Sequence, residues 1–125
     1  HWIAYESNEN GAPEVFVQPF PPTGGKYQVS RAGGRFAMWR RDSKELFFLS
    51  NVAQLLSSTV SLTGDFHSTE PTLLFPVRTM AMIGGNGRPY AVTKDGSRFL
   101  INVVQQDISA MPLTVVVNWP STVQR

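Results

Sequence analysis

A chain of 125 residues has the length of one domain, and 42% apolar content with 14 aromatic side chains is enough to build a core. Only 16% of the residues are charged, the net charge is +2 and cysteine is absent, which excludes a disordered tail, a disulfide scaffold and thiolate chemistry. No apolar run approaches the ~18 residues of a membrane helix and no basic-then-apolar leader opens the chain, so no membrane insertion is expected of this segment.

Read from the amino end, short β-branched and aromatic runs follow one another: Trp2–Ser7, Glu14–Pro19, Tyr27–Ser30, Phe36–Arg41, Glu45–Ser50, Leu55–Leu62, Thr72–Val77, Pro89–Lys94, Phe99–Val104 and Leu113–Trp119. Each is bounded by Gly, Pro, Asn, Asp or Ser, which is the pattern of strands joined by tight turns. None keeps apolar residues at helical spacing for long enough to be a helix. The one short candidate, Val52–Leu56, runs straight into the β-branched stretch Ser57–Val60. The expectation is an all-β domain of antiparallel strands.

The turns repeat. Lys94-Asp95-Gly96-Ser97 separates two strand runs, and Arg41-Asp42-Ser43-Lys44 separates an earlier pair. An Asp in such a turn accepts hydrogen bonds from the next backbone N–H groups, and Gly supplies a positive φ. Superposing the two turns, at an offset of 53 residues, pairs Trp39 with Val92, Leu46 with Phe99 and Phe48 with Ile101. A further copy places Ile3–Asn8 over Leu46–Asn51 at an offset of 43 residues. Four strands per period of this size is the arithmetic of β-propeller units, whereas a sandwich would not repeat one turn chemistry at that spacing.

The stretch Trp39-Arg40-Arg41-Asp42-Ser43-Lys44 followed by Glu45–Ser50 resembles the blade motif of TolB-like, WD-repeat-like β-propellers. So do Trp2–Phe20, Tyr90–Leu100 and Leu113–Trp119, and the likeness extends over nearly the whole chain to the C-terminal propeller of bacterial transmembrane serine/threonine kinases. Arg40-Arg41 stand where Ser-Pro is usual in that motif, and Ser43 replaces Gly. The kinase segment is absent, so the resemblance implies no kinase activity; it implies a partial propeller and an extracytoplasmic, periplasmic location. On this reading residues 1–34 form a partial blade, 35–87 a complete one and 88–125 another partial one, an arc of about 2.5 blades. Such an arc leaves apolar faces and strand edges open, so it is expected to self-associate, to dock on further blades, or to re-form as a smaller barrel or sandwich.

Chemistry-bearing clusters are sparse. Asp65, His67 and Glu70 lie close in sequence, but no nucleophile elbow accompanies them and a turn with an exposed His is the plainer reading. Two isolated His residues do not make a zinc site, and Asp65 with Glu70 falls short of a calcium loop. Gly24-Gly25-Lys26-Tyr27 and Gly84-Gly85-Asn86-Gly87 lack the strand-to-helix setting of a phosphate loop. No catalytic residue, cofactor or metal is therefore expected.

Eight of the 11 basic residues are Arg, and Arg31, Arg35, Arg40 and Arg41 are the one cluster, interleaved with Asp42 and Glu45. A nucleic-acid surface calls for a continuous basic stripe, so no nucleic acid is expected as partner. These four arginines with Phe20 are the expected contact surface, joined by Trp2 and Trp119 because Trp concentrates at contact centres. Tyr5, Trp39, Phe47 and Phe48 are expected to pack between sheets. The leading functional expectation is a non-enzymatic interaction module whose partner is itself or another protein. The alternative is a small-ligand sensor with Arg40 and Thr93 lining a central channel.

Overall fold

The run Glu45–Leu49 has no polar face: Leu46 and Phe48 alternate with Phe47 and Leu49, and all four are buried. Alternate side chains of a strand point to opposite faces, so this sequence demands a sheet covered on both sides. The computed structural model, which describes residues 1–77 and 87–103, builds such a sheet at its centre.

Three antiparallel sheets form, and no helix occurs among the described residues. The first consists of β1 (Trp2–Ser7), β2 (Glu14–Pro19) and β3 (Tyr27–Gln28), in that order. The central sheet runs β4 (Arg35–Trp39), β5 (Glu45–Leu49) and β6 (Gln54–Ser61). Its outer edge is shared, with β8 (Thr72–Pro76) pairing the first half of β6 and β7 (His67–Ser68) pairing the end of it. The third sheet is the hairpin of β9 (Tyr90–Val92) and β10 (Phe99–Ile101).

Two apolar layers join the sheets. Val15, Val17 and Val29 of the first sheet meet Leu46, Phe48 and Val60 of the central one, with Phe66 and the half-buried Trp2, Tyr27 and Trp39 completing the layer. On the opposite face Phe47, Leu49 and Leu55 meet Tyr90, Val92, Phe99 and Ile101 of the hairpin. Phe47 meets Phe99 edge-on at 5.1 Å between ring centres. The central sheet is thus sandwiched, while each flanking sheet has one face against it.

Strand positions follow the sequence expectation closely, with two differences. The segment around His67 is not a simple turn: Ser61 pairs with His67 and Val60 with Ser68, because Thr69 exchanges bonds with Thr59 and anchors the return. Tyr5 does not sit between sheets; it stacks on Phe16 at 5.9 Å on the far face of the first sheet. The expected strand Leu113–Trp119 lies outside the described residues.

The link from β3 to β4 is pinned from inside. Buried Ser30 accepts the Val15 N–H at 2.8 Å and donates to the buried Glu14 carboxylate, whose other oxygen accepts the Gly33 N–H at 2.9 Å. Gly33, at φ 88°, leaves room for Asn51: a Cβ there would lie 1.9 Å from the amide nitrogen of that side chain.

Candidate functional site

The inner edges of the three sheets converge on one cleft of about 200 Å³, lined by Ala4, Tyr5 and Glu6 of β1, Phe36, Ala37 and Met38 of β4, and Arg88, Pro89 and Tyr90. Its geometry begins with an irregularity in β4. The pairing with β5 shifts between Arg35 and Met38, and Phe36 adopts φ 57°, so the strand bulges and turns its backbone groups off the ladder. Glu6 accepts the Phe36 N–H at 2.5 Å, and the Tyr90 hydroxyl donates to the Phe36 carbonyl at 2.7 Å. One residue of the central sheet is therefore tied to both neighbouring sheets.

The electrostatics follow from this arrangement. Burial pushes the Tyr90 hydroxyl far above the ordinary tyrosine range, and the negative charge of Glu6 adds to the shift. Arg35 approaches the other oxygen of Glu6 at 3.7 Å, while its buried Nε has no hydrogen-bond partner. Glu6 and the exposed Arg88 give the cleft both signs of charge over an apolar floor. The Tyr90 hydroxyl is committed to the Phe36 carbonyl and so holds the bulged peptide in place.

Three arginines of the expected contact surface are paired with different acids. Arg31 forms a two-pronged pair with Glu70 at 2.8 and 3.2 Å, Arg35 faces Glu6, and Arg40 binds Asp42 at 2.8 Å and Glu45 at 2.6 Å. The ion pairing raises the Arg40 pKa, and Arg40 with the Lys44 N–H lowers Asp42 to about 2. Arg41 is exposed. It shares a second cleft of about 420 Å³ with Arg40, Trp2, Trp39, Ser43 and Leu62, so three of the expected contact residues do meet. Trp2 is nonetheless half-committed to the core, 5.5 Å from Phe66 and 6.2 Å from Tyr27. Phe20 is 54% exposed and lines neither cleft, although its N–H bonds the carbonyl of His1, which lines the second; Trp119 lies outside the described residues.

Both Asp turns form as their sequences require. Asp42 accepts the Lys44 N–H and Asp95 the Ser97 N–H, each at 3.1 Å. The Thr93 hydroxyl donates to Asp95 at 2.5 Å and, with Ser97, holds that carboxyl well below its usual range. Thr93 thus closes a turn and does not line the inner cleft. Arg40 comes near this turn: a Cβ on Gly96 would lie 2.8 Å from its Cδ. Among the described residues no three His, Asp or Glu side chains are grouped to hold a metal ion.

Sequence reading missed Glu6, Tyr90 and Glu14 as positioning groups. The one available signal was a carboxylate inside a strand run, since such residues are seldom buried or edge-facing without a partner. Comparison with protein-family models, curated proteins and solved structures returns no match.

Proposed function

We propose that the chain is a non-enzymatic interaction module, built from consecutive propeller-type units, that works by adding further sheet to its own stack, first of all from a second copy. The observation that carries this reading is the asymmetry of cover. The central sheet buries Leu46 and Phe48 on one face and Phe47 and Leu49 on the other, whereas the third sheet points Leu100 away from the core, 78% exposed. A large apolar side chain exposed on the outer face of an edge hairpin is open to contact with a further sheet. The outer face of the first sheet is furnished differently: Phe16 is covered by Tyr5 and by Lys26, whose ammonium lies 5.0 Å from the ring centre.

Absolute mass by light scattering after size exclusion, across a wide concentration range, tests the proposal. The expected result is a weight-average mass rising above 13.9 kDa with concentration, and Leu100→Asp should weaken the association at least about tenfold. A mass constant at that of one chain throughout the range overturns it.

A further inference from the structure

We infer that the two Asp turns together form one basic surface, and that its partner is an acidic stretch of a different protein, bound through its carboxylates.

Asp42 and Asp95 stand 53 residues apart in the sequence, and tertiary contacts bring their turns to one end of the stack. Tyr90, at the start of β9, bonds Phe36 near the start of β4. Phe99, at the start of β10, meets Phe47 of β5 edge-on. The stem of Arg40 closes the gap at the turns themselves: a Cβ on Gly96 would lie 2.8 Å from its Cδ and 3.3 Å from the Phe47 ring. The β4–β5 and β9–β10 hairpins therefore lie side by side with their turns adjacent.

Arg41 and Lys44 on one turn, and Lys94 and Arg98 on the other, are all exposed. None of the four takes part in an ion pair among the described residues. The acids that stand among them are already engaged. Asp42 and Glu45 bind Arg40, and Asp95 accepts from the Thr93 and Ser97 hydroxyls. Four cations thus share one end of the stack with no acid of their own turns left for them, and an incoming anion relieves their mutual repulsion.

Carboxylate is the anion that this chain's own arginines take: Arg31 grips Glu70, and Arg40 grips Asp42, through two N–H groups each. Neither turn carries an apolar side chain to enter a bilayer interface. Asp42 and Asp95 interrupt the cations, where a phosphate backbone calls for a continuous stripe. A second copy of the chain is poorly supplied with acids to offer. Glu6, Glu9, Glu14 and Glu70 are held by Arg35, Lys26, Ser30 and Arg31, which leaves Asp65 as the one described carboxylate without a partner among the described residues. The occupant that fits is a run of Asp or Glu from another protein, extended enough to reach both turns.

The test titrates the full chain against a labelled, blocked peptide of alternating Glu and Gly, followed by fluorescence anisotropy at low and at physiological salt. Saturable binding that weakens with salt is expected, and it should vanish when every Glu of the peptide is Gln. Arg41→Gln with Lys44→Gln, and Lys94→Gln with Arg98→Gln, should each weaken binding about fivefold, and all four together at least about twentyfold. Arg88→Gln removes an exposed cation from the opposite end of β9, so it controls for net charge and should change the affinity by less than about twofold. The Gln peptide puts the same question without altering the protein. No saturable binding, equal binding of the Gln peptide, or a loss confined to one turn overturns the inference. So does an Arg88→Gln loss as large as that of either turn, or tighter binding of single-stranded DNA or phosphatidylserine vesicles than of the Glu peptide.

Discussion

Ser30→Ala is the sharpest probe of what joins the first sheet to the central one. The hydroxyl of Ser30 serves two buried partners at once, accepting the Val15 N–H at 2.8 Å and donating to Glu14. Alanine keeps the Cβ and so keeps the packing, but it orphans a donor on β2 and removes one of the bonds that hold a carboxylate that is 8% exposed. An unsatisfied buried N–H costs about 1–3 kcal/mol, and a hydrogen bond to a charged group is worth about 1.5–3. Both losses come from one atom and are not independent, so we expect about 3–4 kcal/mol, a large share of the ~5–15 kcal/mol that holds a domain together. Urea unfolding followed by tryptophan fluorescence measures it. With a slope of about 2 kcal/mol per molar, the midpoint should fall by about 1.5–2 M. Glu14→Gln shares the same partners, so the double variant should be milder than the sum of the single ones by at least about 0.5 kcal/mol. A midpoint shift below about 0.3 M, or strict additivity in the double variant, would refute the reasoning.

Gly96→Ala should cost about 1–2 kcal/mol, because φ is 76° and the new Cβ would meet Arg40. Gly11→Ala, at φ 94° with open space around it, should cost only the backbone part, and thermal unfolding of the two variants compares them directly. Tyr90→Phe should lose about 0.5–1.5 kcal/mol at neutral pH by freeing the Phe36 carbonyl. Folding raises the Tyr90 pKa above the ordinary 10.0, so its contribution is fully present below pH 10 and is lost as pH rises beyond it; in the Phe variant that alkaline loss should disappear from the stability profile. Asp42 behaves oppositely. Its pKa falls from 3.8 to about 2 on folding, so its contribution is present above the ordinary carboxylate range and is lost as pH drops between those values. Asp42→Asn should flatten that part of the acid profile in a pH-jump unfolding series.

Strand placement was legible from local chemistry because both of its causes are local. A Phe47-Phe48 pair inside an uninterrupted apolar run can be satisfied only by a sheet buried on two faces, and Asp42 and Asp95 nucleate their turns through N–H groups two residues away. The two-residue strand at His67 escaped notice because its cause is remote: Thr69 reaches Thr59 across ten residues, and nothing in the intervening stretch announces it.

The site was beyond the reach of the sequence for the same reason. The arginines lie close together in sequence, yet the acids that meet Arg31 and Arg35 are Glu70 and Glu6, 39 and 29 positions away. Glu6, Phe36 and Tyr90 come from three separate sheets, and only the stacking of those sheets brings a carboxylate, a bulged peptide and a phenol to one point. Alternation and turn residues set the strands of this chain. How the bulge at Phe36 is closed was decided by contacts between residues tens of positions apart, because its N–H and C=O are met by side chains that arrive from elsewhere.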